Sequence, residues 1–155
     1  MITIADTLET EHVLLDLTAS TMEDAVRQLV NALRDDERVL DWKEFAAALT
    51  GSPHCRVGEG ADFGICVPHA RTDSVNSMVM SAGRLTKPLN IRECPRPIRY
   101  IFCLGIPKAV ASEYLRIAGA LMRIFTDPET EEALRATTTR DEFVAALARL
   151  EVKLQ

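Results

Sequence analysis

The spacing of hydrophobic residues divides the first third of the chain into one strand and two helices. Val13–Leu17 is a short apolar run between turn formers, which predicts a β-strand. Ser20, with a glutamate three residues on, forms a capping box before a helix whose apolar residues recur every three or four positions to Leu33. Asp41 repeats that signature and opens a shorter helix that ends at Gly51.

The remainder of the chain changes from strands to helices. Three apolar runs predict strands: Phe63–Val67, Ser77–Leu85 and Ile98–Ile106. The third run is almost continuously apolar, so we expect it in the middle of the sheet with both faces covered. Lys87–Pro97 contains three prolines and is predicted to be an irregular loop. Three further helices are each marked by an N-cap residue: Ser112, Asp127 and Thr139.

This order of elements predicts the fold class. One strand, two helices, three strands and three helices favour an α/β domain in which helices cover both faces of a small mixed β-sheet. The chain has no internal repeat and no linker-like segment, and 155 residues suffice for a self-sufficient core. We therefore expect a single domain over residues 1–155.

Composition narrows the class of function. Hydrophobic residues make up 47% of the chain and charged residues 26%, which is a globular balance. The formal net charge of −5 leaves no basic surface of the kind that nucleic-acid binding requires. No run approaches the roughly 20 apolar residues of a membrane span, and the acidic start is unlike a signal peptide. The cysteines lack C-x-x-C spacing and are predicted to be buried thiols, which indicates the cytoplasm: Cys55, Cys66, Cys94 and Cys103.

The chemistry is concentrated in Gly58–Asp73, where three glycines surround a short apolar strand that ends in Pro68 and His69. A proline cannot donate to the ladder, so it ends the strand and presents the following imidazole at the edge of the sheet. A neutral imidazole can attack a phosphoryl group, and glycine-rich turns supply backbone N–H groups for its oxygens. Arg71 or Arg56 would supply the charge. The alternative is a structural histidine that caps the strand.

The stretch from Gly60 to Ala70 reads GADFGICVPHA. It resembles the phosphorylation site of the enzyme IIA components of the bacterial phosphotransferase system, in the fructose, mannitol and nitrogen-regulatory group. The matching residues are Gly60, Gly64, Ile65, Val67, Pro68, His69 and Ala70. The resemblance implies a flanked mixed sheet, a phosphoryl group carried on His69, and no cofactor within the domain.

Several positions depart from the pattern of that family. The resemblance places Tyr114 where the family usually has a second histidine, and a phenol can donate a hydrogen bond but is not cationic at pH 7. The segment before the strand is longer, and it carries Glu59 and Asp62, whose carboxylates would repel a phosphoryl dianion. Arg56 and His54 are candidates for the missing basic groups, although neither aligns with the family pattern.

Two functions remain open at this stage. The resemblance implies a phosphoryl carrier that receives the group on His69 from an HPr-like phosphocarrier protein and serves sugar transport or regulation. Alternatively, the protein is a regulatory binding module of the same ancestry in which transfer is lost. The implied further partners are a membrane permease component or a regulatory target protein, with no nucleic acid and no direct membrane insertion. A homodimer is also possible.

A third interpretation belongs to another class of function. His54, Cys55, Cys66 and His69 are a donor set that could hold zinc. Their spacing is poor for that purpose, because Cys66 and His69 are three residues apart in an extended run and point to opposite faces. His12, ahead of the first predicted strand, is expected to be exposed.

Overall fold

A computed structural model describes residues 2–49, 55–57, 62–110 and 112–154. The strands are β1 Leu8–Leu17, β2 Cys55–Val57, β3 Gly64–Cys66, β4 His69–Arg71, β5 Val79–Leu89 and β6 Ile98–Ile106. The helices are α1 Ile4–Thr7, α2 Met22–Asn31, α3 Trp42–Leu49, α4 Ser112–Thr126, α5 Pro128–Arg135 and α6 Arg140–Lys153, with a 3₁₀ turn at Lys108–Val110. None of these helices combines the length and the apolar character needed to cross a lipid bilayer.

The strands form one mixed sheet in the order β1-β5-β6-β3-β2. β1 runs parallel to β5, β5 is antiparallel to β6, and β3 is antiparallel to β2. β3 and β4 both pair in parallel with β6, at successive positions along the same edge. The break between these two short strands contains Pro68, whose carbonyl still accepts the Leu104 N–H at 2.9 Å. The histidine that follows is therefore fixed at the edge of the central strand.

Helices cover both faces of the sheet and enclose a separate hydrophobic core on each. On one face, α1, α4, α5 and α6 pack around aromatic side chains that include Tyr100, Phe102 and Phe143. On the other face, α2 and α3 pack against residues such as Ile101 and Cys103. Successive side chains of a strand point to opposite faces, so β6 supplies both cores in alternation. The predicted α/β class and the central position of this strand are confirmed.

Most of the predicted helix N-caps agree with the structure. Thr139 is the N-cap of α6, where its hydroxyl accepts the Glu142 N–H at 3.1 Å. Asp127 caps α5 with proline at the first helical position. The cap of α2 was wrong by one residue, because Thr21 rather than Ser20 accepts the N–H of the third helical residue.

The strand boundaries needed larger corrections. β1 begins at Leu8, five residues earlier than predicted, so His12 lies inside the strand and is buried rather than exposed. β5 continues to Leu89 and includes Pro88, at a register shift between β5 and β6, so the loop that was predicted from Lys87 starts later. β2 and β4, of three residues each, were not predicted as strands.

Candidate functional site

His69 is the first residue of β4 and is half-buried. Its backbone lies opposite Leu104 of β6, and the next residue, Ala70, points into the core between the sheet and the α2–α3 layer. His69 therefore points to the other face, where α4 passes. The sequence predicted that the strand would end at Pro68, but the chain pairs with β6 again from His69 onward, so this backbone is fixed within a short strand while the half-buried side chain still reaches the surface.

A hydrogen bond orients the imidazole of His69. Its Nδ1 lies 2.9 Å from the carbonyl oxygen of Val67, two residues earlier in the chain. Because a carbonyl can only accept, this contact requires the proton on Nδ1. In the neutral ring Nε2 then carries the lone pair, so it is the nitrogen that can act as a nucleophile.

Tyr114, in the first turn of α4, lies against the imidazole. The two ring centroids are 4.2 Å apart and the ring planes are inclined by 30°. Tyr114 is itself half-buried and packs at the margin of the aromatic core. The phenol thus covers one side of the histidine ring and restricts its rotation, while the carbonyl of Val67, in the break between β3 and β4, holds Nδ1.

Arg71 lies on the same side of β4 as His69, because residues two apart in a strand share a face. Its side chain is exposed, and Nη2 donates to the carbonyl of Lys108 at 3.2 Å. Lys108 follows the end of β6, and its Nζ lies 3.8 Å from a carboxylate oxygen of Asp73. Both members of that ion pair are well exposed, so it contributes little to stability.

Two cationic side chains, Arg71 and Lys108, therefore lie near this edge of the sheet. The sequence indicated Arg71 through its spacing from the histidine. It gave no reason to select Lys108, because that residue joins the edge only through the pairing of β4 with β6. The proline before Lys108, which ends β6, was the one available signal.

Gly64 supports the site through the sheet. Its N–H donates to the carbonyl of Pro97 at 2.7 Å, and the residue pairs with both β2 and β6. This amide is engaged within the fold, so its contribution is to hold the strand that leads to Pro68. Arg56, the other basic candidate, is in β2 opposite Ile65, and its side chain is outside the described part of the structure.

The remaining predicted positions of this segment divide into described and undescribed residues. His54, Gly58, Glu59 and Gly60 lie outside the described residues. Asp62 is described and exposed, and its carboxylate is close enough to the guanidinium of Arg135 to interact with it electrostatically. A cationic neighbour of this kind offsets part of the repulsion that the carboxylate would exert on a phosphoryl group.

The donors proposed for zinc do not converge among the described residues. Cys55 and Cys66 are opposite each other in β2 and β3, yet they form no close group of ligand atoms with His69. Burial raises the pKa of the Cys66 thiol well above its ordinary value, so it is not readily ionised. His54 lies outside the described range. The one close set of three such donors that the described residues contain is elsewhere, at Glu9, His12 and Asp36.

The mixed sheet covered by helices, and a histidine directly after the proline that breaks the strand, agree with the resemblance of this sequence to the enzyme IIA components. The sequence model of the family "Phosphoenolpyruvate-dependent sugar phosphotransferase system, EIIA 2" matches residues 6–150. The chain belongs to this family, which supports a role as a phosphoryl carrier. The resemblance found in the sequence is thereby confirmed.

Individual relatives agree with this assignment. The chain is 27% identical over 144 residues to the fructose-specific EIIA component of the phosphotransferase system of Haloferax volcanii, covering 90% of this chain and 91% of the relative. The crystal structure of the nitrogen regulatory protein IIA-Ntr from Neisseria meningitidis has a TM-score of 0.78 at 21% identity, covering 93% of this chain and 98% of that one.

A third relative was solved together with another protein. It is the mannitol enzyme IIA of Escherichia coli, in complex with the phosphorylated mannitol enzyme IIB, with a TM-score of 0.73 and 21% identity. The match covers 96% of this chain and 99% of that one. At these identities the two solved structures show that the fold is shared.

Proposed function

We propose that this protein carries a phosphoryl group on Nε2 of His69, received from the phosphohistidine of an HPr-like protein. The observation that carries the proposal is the hydrogen bond from Nδ1 to the Val67 carbonyl, which assigns the lone pair to Nε2. In the transfer, the phosphorus–nitrogen bond of the donor breaks and its electron pair stays with the donor imidazole. A new bond forms between phosphorus and Nε2, while the proton on Nδ1 stays in place.

The same hydrogen bond supports the phosphorylated state. Bond formation at Nε2 withdraws electron density from the ring, which makes the Nδ1–H a stronger donor to the Val67 carbonyl. Charge-assisted hydrogen bonds are about twice as strong as neutral ones. The Val67 carbonyl would therefore stabilise the phosphorylated imidazole more than the free one.

Cationic side chains near His69, at this edge of the sheet, would supply the electrostatic stabilisation of the phosphoryl group. Transfer of a phosphoryl group depends mainly on positioning and on neutralising its oxygens. Arg71 lies on the face of β4 that carries His69, and the exposed Lys108 contacts Arg71 through its backbone. Tyr114 contributes a neutral donor where a cation would be the stronger partner, so we expect Arg71 and Lys108 to carry most of the charge compensation.

A protein recipient completes the cycle. The mannitol relative was solved with a phosphorylated enzyme IIB, which supports a IIB-like domain as one destination of the group. The fructose-specific relative supports sugar transport, and the nitrogen-regulatory relative supports regulation. Both outcomes use the same histidine and differ in the partner that removes the phosphoryl group.

Reconstitution with phosphoenolpyruvate, enzyme I and HPr tests the proposal. Wild type should acquire one acid-labile, base-stable phosphoryl group, and peptide mapping should locate it at His69 rather than at His12 or His54. His69→Ala should acquire none while its circular dichroism matches wild type. A label at another residue, or full labelling of His69→Ala, would contradict the proposal.

The second candidate is a regulatory module that binds its partner without accepting phosphate. The observation that favours it is the neutral Tyr114 ring that lies against His69, with ring centroids 4.2 Å apart, at the position where the family usually has a second histidine. Under this alternative, wild type stays unlabelled in the reconstitution yet is retained by immobilised HPr or a IIB-like domain. The labelling experiment thus separates the two candidates.

A further inference from the structure

A second cluster of titratable side chains lies away from His69, where β1 meets the loop after α2. His12 is 6% exposed, and its Nδ1 is buried without a hydrogen-bond partner in the structure. Oδ2 of Asp36 lies 3.6 Å away, and the Asp36 side chain is 4% exposed. A buried polar atom without a hydrogen bond is costly, so this nitrogen indicates a ligand that is missing from the site.

The backbone of β1 is shaped to bring these groups together. Between Leu8 and Val13 the strand advances five residues while its partner β5 advances two, so the intervening residues bulge out of the ladder. A bulge breaks the alternation of side chains. Glu9 and His12, which would otherwise point to opposite faces, can therefore face the same loop.

The separation of His12 from Asp36 suits a shared ion. One donor atom each from Glu9, His12 and Asp36 lies within 4.8 Å of the others. Bonds of about 2.0–2.2 Å in tetrahedral geometry place two ligand atoms roughly 3.3–3.6 Å apart. The 3.6 Å between His12 Nδ1 and Asp36 Oδ2 matches that spacing and is too long for a direct hydrogen bond.

The surroundings favour a cation. The cluster opens into a pocket of about 530 Å³ whose lining includes five carboxylates and one arginine. The lining residues are Glu9, Glu11, His12, Ala32, Asp35, Asp36, Glu37 and Arg38. Their summed charge is strongly negative, which attracts cations and opposes anions.

Arg38 limits the affinity and at the same time orders the site. Its Nε and Nη2 donate to the two oxygens of Asp36 at 2.9 and 2.8 Å, and Nη2 lies 3.7 Å from Glu9. This bidentate contact fixes the Asp36 carboxylate, and Oδ2 keeps a second lone pair for another ligand. The guanidinium charge repels a metal ion, so we expect moderate rather than tight binding.

We propose that Glu9, His12 and Asp36 form a binding site for a divalent transition-metal ion of the zinc class, with water completing the coordination. Imidazole and carboxylate donors suit such an ion. The ion would join β1 to the loop that follows α2. That loop is hydrogen-bonded to the segment after β4, through Asn76 N–H to the Arg38 carbonyl at 2.9 Å and Leu40 N–H to the Ser74 carbonyl at 2.7 Å.

Titration of metal-free protein with Zn²⁺, followed by calorimetry and thermal unfolding, tests this site. We expect one ion per chain and a higher melting temperature. Glu9→Gln, at a half-exposed position that tolerates substitution, should weaken Zn²⁺ binding about tenfold or more. His12→Gln should abolish it. Glu37→Gln removes the same charge from the same pocket without removing a proposed ligand. It should therefore weaken Zn²⁺ binding by less than about threefold.

Substitution by Co²⁺ identifies the donors independently of folding. Nitrogen and oxygen ligands give visible bands without the near-ultraviolet charge transfer of a thiolate. The proposal is overturned by no binding to wild type, by affinities that Glu9→Gln and His12→Gln leave unchanged, or by a thiolate band lost in Cys66→Ser. His69→Ala should bind Zn²⁺ like wild type. These results are independent of whether His69 accepts phosphate.

Discussion

At Tyr114 a neutral phenol lies beside a histidine whose proposed product is a phosphoryl dianion. The ring contact at 4.2 Å contributes to packing whether or not the hydroxyl is present. The hydroxyl has a separate use, because it can donate to a phosphoryl oxygen. Removing only the hydroxyl therefore separates the packing role of this residue from its polar role.

We expect Tyr114→Phe to fold like wild type and to lose its phosphoryl group faster. A hydrogen bond worth about 1 kcal/mol corresponds to roughly a fivefold shorter half-life of the phosphohistidine. The measurement is the decay of purified, phosphorylated protein at neutral pH. Equal half-lives for the two proteins would show that the hydroxyl does not reach the phosphoryl group.

Glu151 provides a pH-dependent contribution to stability. Its buried carboxylate accepts the Ile4 N–H at 3.0 and 3.1 Å and so ties α6 to α1. Burial raises the pKa of Glu151 more than the hydrogen bond to Ile4 lowers it. With the folded pKa above the unfolded one, the favourable contribution is complete below the ordinary glutamate pKa of 4.5 and is lost as the pH rises through the raised value.

Glu151→Gln should consequently gain stability relative to wild type as the pH rises from 4 to 7, since glutamine keeps an acceptor and never ionises. Urea denaturation at several pH values measures the difference in the free energy of unfolding. Glu142 is the matched control, because hydrogen bonds from Thr138 lower its pKa. Glu142→Gln should show the opposite trend, and its difference from wild type should change below pH 4.5, where the contribution of the ionised Glu142 is lost. Parallel pH profiles for both variants would contradict this account.

At the scale of single elements, β6 is constrained by what packs on each of its faces. Gly105 lies where the ring of Phe45 and a methyl group of Val79 approach most closely. A methyl group added there would be 2.8 Å from Phe45 Cε1 and 2.9 Å from Val79 Cγ1. The absence of a side chain at this position thus lets α3 pack directly against the sheet.

Gly105→Ala should destabilise the protein by about 1–3 kcal/mol through overpacking. Gly119→Ala, in the middle of α4, is the control. Its added carbon would be no closer than 3.4 Å to any neighbour, and alanine favours a helix by about 1 kcal/mol over glycine. The free energy of unfolding, measured by chemical denaturation, should therefore fall for Gly105→Ala and rise for Gly119→Ala. A neutral Gly105→Ala would mean that α3 shifts at little cost.

At the scale of the whole molecule, the sheet separates two cores that share β6. Long elements with caps or strong periodicity, such as α6 and β6, could be predicted from local sequence because their signals lie within the element. β2 and β4 could not, since three residues become a strand only through the neighbours that pair with them. The early start of β1 was missed for a related reason, because its bulge interrupts the alternation that marks a strand.

The candidate site shows the same division between local and long-range information. The relative positions of His69 and Arg71 could be predicted from sequence, because they lie two residues apart directly after a proline, and residues two apart in an extended chain share a face. Lys108 was not, since the contact of its carbonyl with Arg71 depends on the pairing of β4 with β6. The burial of His12 was equally inaccessible, and it led to the second proposed site.

The hydrogen bond from His69 to Val67 has a consequence for how such a protein can diverge. The imidazole is oriented by the Val67 carbonyl two residues earlier in the chain, whereas Tyr114 and Lys108 come from other parts of the chain. Substitutions at such positions can thus alter which protein is recognised while Nε2, the proposed phosphoryl acceptor, keeps its direction. Related proteins can in this way acquire new partner proteins while the orientation of this histidine stays the same.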